Sequence, residues 1–367
     1  MKLALTPRDP SFLLPSLPQG ARVLIIRLRS LGDVVLLTPA LYALNAWRPD
    51  LRLCVLVEPF CAQLLEGNPA VSEILLTKSF LSTAFQLRRH HFPVVYNQHA
   101  GPKSALWVAS IGVPLRVCWA HRQFSFVYNL LTPNPGGRMH TVEHRMEQFY
   151  ATGLPRGPIP SAHLYPQSDA QAAVAEQFAA LGIAPRKPYA VLHPGAKYFT
   201  KRWATDKFIE LARELRDKHG IEPVFNLGRG ESEIAAEVRR QCAREFVLLD
   251  SLDLRQLIAL IAGCRIFIGN DGGPAHIAAA LARPVVAIFG SSSSVHWRPW
   301  QTGYRVVQND FPCNPCRGDR CYAFAEPRCI LSVTLDQVRD ASRSLLEETS
   351  GAASVLSPAP LQERKTL

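Results

Sequence analysis

"RVLIIRLRSLGDVVLLTPALYAL" runs from Arg22 to Leu44, and its reading decides the fold class. The opening "RVLII" is apolar without alternation, the pattern of a strand buried on both faces of a parallel sheet. From Pro39 onward the spacing is helical, with Thr38-Pro39 as a start signal. Between the two, Gly32 permits a tight turn and Asp33 stands near a helix N-terminus. A strand that hands over to a helix through a short glycine turn is the unit of a doubly wound α/β domain. Asp33 reads in two ways. It is a helix cap worth about 1 kcal/mol, or, with Arg27 and Arg29 beside it, a carboxylate placed to accept a proton from a bound hydroxyl.

The same unit recurs along the chain. Strands are expected at 22–28, 51–57, 71–77, 93–98 and 115–119, alternating with helices at 39–47, 60–66, 81–90 and 102–111. A Pro/Gly-rich stretch, "GLPRGPIPSAHLYPQ", separates these from a second series. That series has strands at 188–193, 223–227, 246–249, 266–269 and 285–289, and helices at 169–181, 206–219, 231–244, 254–262 and 275–282. The expected fold is α/β, with two Rossmann-like doubly wound domains facing across a cleft. Its expected parts are a flexible arm over 1–20, domains over 21–165 and 166–333, a helix over 334–348 and a disordered tail over 349–367.

At 367 residues, 47% hydrophobic and 19% charged, the chain holds material for two cores. No apolar run approaches the roughly 20 residues of a membrane span, and Arg8, Asp9 and Pro10 interrupt the N-terminus too early for a secretory signal. The expected location is therefore cytoplasmic. A net charge of +11 favours anionic partners: nucleotide phosphate, nucleic acid or an acidic membrane face. No nucleic-acid-binding signature accompanies it, so nucleic acid is not expected as a partner.

In open α/β sheets ligands lie beyond the carboxyl ends of the strands, and three further loops there draw attention. "VLHPGAKYFTKRW" places Gly195, Lys197, Lys201 and Arg202 after a strand, where basic groups suit phosphate oxygens. "FNLGRGESE" puts Gly228 and Gly230 before Glu231 and Glu233; either glutamate suits ribose hydroxyls or simply favours the helix dipole. "IFIGNDGGPAHIAAAL" runs a buried strand into Asp271, Gly272 and Gly273, then a helix whose N-terminus is ready for an anion. His276 in its first turn can donate to a phosphate or a sugar oxygen.

Taken in order, these four segments resemble the ADP-heptose–lipopolysaccharide heptosyltransferases and their relatives, family 9 of the glycosyltransferases, over about residues 22–345. The resemblance implies the two-Rossmann (GT-B) fold. It also implies inverting, metal-independent transfer of heptose from ADP-heptose to the inner core of lipopolysaccharide. The chain has no Asp-x-Asp motif for a diphosphate-bound metal. By position the resemblance assigns Asp33 as catalytic base and Lys201 as the phosphate-contacting lysine. Arg27, Gly32, Gly195, Lys197, Gly228, Glu231, Asp271, Gly272, Gly273 and His276 become substrate-binding residues, with Glu233 the rival of Glu231. One branch carries two threonines after the Leu-His pair and Thr-Gly-Leu after the late aspartate. Here Gly195-Ala196 and Gly272-Gly273-Pro274 stand in those places, closer to the branch that adds the second heptose. The implied partners are an ADP-sugar and an anionic lipopolysaccharide-core acceptor, met at the cytoplasmic face of the inner membrane. The competing readings are another GT-B enzyme, either a different transferase or a sugar-nucleotide epimerase, and a non-catalytic binder of anions.

Five of the nine cysteines are scattered in apolar contexts; Cys313, Cys316, Cys321 and Cys329 form a C-x2-C-x4-C-x7-C cluster. A structural zinc or iron, free thiols and a disulfide all remain open there, with no catalytic part.

Overall fold

The computed structural model describes residues 9–120, 123–242 and 245–351. The first half holds six parallel strands: β1 (Arg22–Ile26), β2 (Arg52–Val57), β3 (Glu73–Leu76), β4 (Val94–Asn97), β5 (Leu115–Trp119) and β6 (Leu130–Thr132), in the order 3-2-1-4-5-6. Around them lie α1 (Leu13–Ser16), α2 (Leu31–Val35), α3 (Thr38–Trp47), α4 (Phe80–Arg89), α5 (Pro102–Ser110) and α6 (Thr141–Tyr150). The second half repeats the plan with β7 (Tyr189–His193), β8 (Glu222–Asn226), β9 (Val247–Leu249), β10 (Ile266–Asn270), β11 (Val285–Ile288) and β12 (Tyr304–Val307), ordered 12-11-10-7-8-9. Its helices are α7 (Ser168–Ala180), α8 (Thr205–His219), α9 (Ser232–Cys242), α10 (Leu254–Gly263), α11 (Gly273–Ala280), α12 (Ser294–Trp297), α13 (Arg328–Leu331) and α14 (Leu335–Gly351).

The expected α/β class and the two doubly wound sheets are thus present. β1 is buried along nearly its whole length, and its register sets Ile26 between Leu56 and Asn97. In each sheet the strand order reverses beside the first strand, between β1 and β4 and between β7 and β10. A crevice opens at such a reversal because successive crossovers leave on opposite faces. Arg27, His99, Gly195 and Asp271 follow the four strands that flank the two reversals.

One apolar cluster joins the halves. Val34, Val35 and Leu37 belong to the same buried core as Ala275, Ile277 and Ala278. Polar contacts add to it: Arg255 Nε donates to Glu66 Oε2 at 2.7 Å, and Trp300 Nε1 donates to the carbonyl of Pro160 at 3.0 Å. Among the described residues, no helix is long and apolar enough to cross a membrane.

Several local expectations differ from what forms. Residues 60–66 make a 3₁₀ turn over Pro59–Leu64 rather than an α-helix. Pro59 starts it and Gly67 and Pro69 follow closely, too short a span for a stable α-turn. Thr38 does not cap α3; its Oγ1 donates back to the carbonyl of Val35 at 2.8 Å. The edge strands β6 and β12 and the helix α6 were not anticipated. The strands are only three and four residues long.

The described part of the expected arm, residues 9–20, packs down. Leu13, Leu14 and Leu17 are buried, and Arg48 donates to the carbonyls of Leu14 and Leu17, each at 3.1 Å. Residues 1–8 and 352–367, which include most of the expected tail, lie outside the described residues.

A buried leucine in this position carries transfer and packing energy together. Leu14→Ala is expected to lower the unfolding free energy by about 2–5 kcal/mol, read from urea denaturation. A loss under 0.5 kcal/mol would mean that the segment contributes nothing to the core.

Candidate active site

Asp33 lies in the first turn of α2, and its two carboxylate oxygens have separate tasks. Oδ2 accepts from the Ser30 amide at 3.2 Å and the Ser30 hydroxyl at 3.1 Å, which satisfies the helix start. Oδ1 takes the guanidinium of Arg145 at 2.6 Å and that of Arg27 as well. Asp33 therefore braces its own turn with one oxygen and faces two cations with the other. Burial pushes its carboxyl up, but Arg145 and then Arg27 outweigh this and hold the pKa at about 2. Arg145 is itself buried. Burial, and then repulsion from Arg27, lower its pKa to about 9, which leaves it cationic at neutral pH.

These groups line a cleft of about 540 Å³ between the halves. Arg27, Asp33, Gln98, His99, His144 and Arg145 come from the first half, and His296 and Trp297 from the second. Gln98 anchors the wall by accepting from Arg27 Nη1 on its carbonyl at 2.6 Å and donating to Gln148 Oε1 at 2.7 Å. Burial, reinforced by Arg27 and Arg29, drives His99 down to about 4, so it is neutral at pH 7. The buried Nε and Nη1 of Arg145 have no hydrogen-bond partner among the described residues.

Across the cleft the second set of loops closes in. Gly32 of α2 meets His276 of α11 so tightly that a Cβ at position 32 would lie 2.6 Å from the ring's Cδ2. Gly273 is its counterpart, with room for a Cβ only 3.0 Å from that of Leu31. His276 is buried, and burial lowers its pKa although Asp271 and Asp33 pull it up. Lys201 and Arg145 also act on that ring. One imidazole therefore senses charged groups from both halves.

Lys201 Nζ donates to Asp271 Oδ2 at 2.8 Å. The loop that carries it is pinned by Asn270, whose Nδ2 donates to the carbonyl of Pro194 at 2.8 Å and whose Oδ1 accepts from the Trp203 amide at 3.0 Å. Gly272 is the N-cap of α11 with no side-chain cap, so the helix start is open to an acceptor. Glu231 Oε2 accepts from the Gly228 amide at 2.7 Å, and its Oε1 stands 3.7 Å from His193 Nε2. The same carboxylate occupies the space where a side chain on Gly195 would begin, 2.0 Å from that virtual Cβ. Glu233 is exposed on α9. Lys197 is not gathered in: it is exposed, its Nζ 5.1 Å from the centroid of the Tyr198 ring.

The four clustered cysteines gather in a small cavity of about 20 Å³ with Thr200 and Ser291, behind the Lys201 loop. All are free thiols. Among the described residues, no group of three or more His, Cys, Asp or Glu side chains is placed to hold a metal ion. The sequence does not single out Gln98, His99, His144, His296 or Trp297 of this cleft, nor Arg145, which touches Asp33 directly. Val142, Met146 and Phe149 form the buried stripe of α6, and Arg145 sits within it; an arginine on an apolar helix face was the available signal.

A family model described as glycosyltransferase family 9 (heptosyltransferase) matches residues 81–324. Lipopolysaccharide heptosyltransferase 3 of Escherichia coli K12 is 27% identical over 289 residues, which cover 73% of this chain and 82% of the relative. Two solved structures share the fold. The family 9 glycosyl transferase from Veillonella parvula superposes with a TM-score of 0.79 at 21% identity, over 93% of this chain and 100% of the other. ADP-heptose LPS heptosyltransferase II of E. coli gives 0.75 at 24% identity, over 90% and 99%.

Two outcomes follow from the geometry. Gly32→Val drives a branched side chain into His276 and should cost about 1–3 kcal/mol of stability; an unchanged urea midpoint would deny the tight junction. Asp33 has a depressed folded-state pKa, so its stabilisation is complete above its unfolded value near 4 and is lost as pH falls toward 2. The stability advantage of the wild type over Asp33→Asn should therefore shrink by about 2 kcal/mol between pH 5 and pH 2. A gap that is flat with pH would contradict the ion cluster.

Proposed function

The chain belongs to glycosyltransferase family 9, and on that premise we propose that it transfers heptose from ADP-heptose to the inner core of lipopolysaccharide, with inversion. The observation that carries this reading is Asp33, held ionised at neutral pH by two arginines on a helix that abuts His276 of α11, the helix whose start adjoins the Lys201–Asp271 pair.

In this reading ADP-heptose lies on the second half. Glu231, supported by the Gly228 amide and seated in the space that Gly195 leaves free, receives the ribose hydroxyls. The diphosphate meets the α11 N-terminus at Gly272 and Gly273, and Lys201 swings part of its charge from Asp271 to a phosphate oxygen. Asp271 then keeps Lys201 in place and His276 donates to the sugar phosphate. The acceptor hydroxyl approaches from the first half. As the anomeric carbon–oxygen bond to ADP breaks, the hydroxyl oxygen bonds to the opposite face of an oxocarbenium-like sugar and its proton passes to Asp33. A carboxylate of pKa about 2 suffices for this, since a hydroxyl that is bonding to a cationic carbon becomes strongly acidic. Arg27 and Arg145 keep the base ionised and aimed.

The acceptor is lipid-linked and anionic, so the enzyme works as a peripheral protein at the cytoplasmic face of the inner membrane. Cys313, Cys316, Cys321 and Cys329 line one small cavity with Thr200 and Ser291.

The decisive assay follows nucleoside diphosphate released from ADP-heptose in the presence of heptose-deficient core acceptor. Asp33→Asn should keep the donor Kd within about threefold while turnover falls about 10²-fold or more. Near-normal turnover in that variant would reject Asp33 as base; a new sugar nucleotide formed from the donor alone would favour an epimerase, and nucleoside diphosphate released without any acceptor a hydrolase.

A further inference from the structure

Residues 74–142 contain no aspartate or glutamate, yet they carry seven lysines and arginines. At the chain's average density of 30 carboxylates in 367 residues, a stretch of this length would hold five or six. Seven of the eleven net positive charges thus sit in less than a fifth of the chain. The fold concentrates apolar side chains on the same ground. Leu81 and Phe85 project from α4, Leu106 from α5 and Phe126 from the following 3₁₀ turn, with exposures of 78, 64, 57 and 84%. The elements are packed together. Trp107 Nε1 of α5 donates to the carbonyl of Phe80 at 3.1 Å with the two rings stacked, and the Phe126 turn packs on α5.

The basic groups border these apolar residues. Lys78, Arg88, Arg89 and Lys103 are all exposed; Arg89 lies over the Phe85 ring and Lys103 over Trp107. Leu81 and Phe85 stand four residues apart on one helix face, with Arg88 and Arg89 a turn further on. Large apolar groups exposed together in this way mark an interaction surface. Cationic heads set over aromatic rings, among exposed apolar side chains, suit a boundary between hydrocarbon and anionic headgroups. The patch also begins at the cleft: Pro102 opens α5 three residues after His99, which lines the cleft wall.

We propose that the α4–α5 face with Phe126 is the surface by which this protein docks on an anionic lipid bilayer, holding the cleft mouth against the membrane. A protein partner would need acidic and apolar groups in matching places, whereas a bilayer of acidic phospholipid supplies both everywhere. The inference rests on the lipid-linked acceptor proposed above, and its test separates the two.

The full-length protein is sedimented with vesicles of phosphatidylcholine containing 30% phosphatidylglycerol, and with phosphatidylcholine alone. The anionic vesicles should bind at least tenfold more tightly, and binding should weaken with salt. Leu81→Ser/Phe85→Ser and Arg88→Glu/Arg89→Glu should each lower the partition at least tenfold while leaving the thermal midpoint unchanged. Equal binding by wild type and variants, or no binding by the wild type, would overturn the proposal. So would a concentration-dependent dimer in sedimentation velocity that Leu81→Ser/Phe85→Ser abolishes, which would make the face a self-association surface. Turnover supplies the separating control. On a deacylated, water-soluble acceptor both double variants should match the wild type, and on vesicle-borne acceptor they should fall about tenfold. Vesicle binding lost in the variants, with no turnover on either acceptor by the wild type, would uphold the surface and reject the transferase reading.

Discussion

The close approach of Gly32 to His276 is the constraint on which the rest of the structure depends. Because neither Gly32 nor Gly273 has a side chain, α2 and α11 abut, and the two strand-order reversals face one another over a short gap. A Cβ on either glycine would wedge the halves apart at the point where the charged residues converge. The shared apolar core around Val34 and Ala278 then seals the junction, and burial of that kind is non-directional: it holds surfaces together without choosing their register. The glycines choose it.

At that junction each carboxylate is already set against cations, two guanidinium groups on Asp33 and one ammonium on Asp271. Asp33 answers Arg27 and Arg145, and Asp271 answers Lys201. A buried carboxylate without a cation would protonate, and a buried arginine without an anion would be costly. The two arginines therefore hold Asp33 ionised before a substrate arrives. Proton acceptance needs an ionised carboxylate and leaving-group stabilisation needs a charged lysine, so the site is preorganised for the proposed transfer. The unpartnered Nε and Nη1 of Arg145 show that one side of this balance is incomplete within the described protein.

The membrane-docking proposal rests on a different kind of asymmetry. The long stretch without carboxylates lies wholly in the half that is proposed to receive the acceptor, whereas Asp and Glu are spread along the remainder. Under the proposed function, the donor is a small diffusing nucleotide sugar and the acceptor is fixed in a bilayer. A surface that meets the bilayer is useful only on the acceptor's side of the cleft.

Much of this was legible in the chain itself. The apolar run at Arg22–Ile26, its repetition and the Gly-Asp and Gly-Gly turns specified two doubly wound sheets, because strand burial and turn chemistry are local properties. Asp33, Lys201, Asp271 and His276 stood out for the same reason, each in a segment that leaves the carboxyl end of a strand. Arg145 did not, since its importance comes from packing α6 against a carboxylate 112 residues earlier. Nor could local chemistry choose between Glu231 and Glu233; only the emptiness at Gly195 admits the first, while the helix turns the second to solvent. Lys197 looked as suited to the site as Lys201, yet the turn at Phe199–Lys201 sends them apart. Identity and spacing determined which chemistry was available. Tertiary packing decided which groups meet, because burial and pairing depend on neighbours that are distant in sequence.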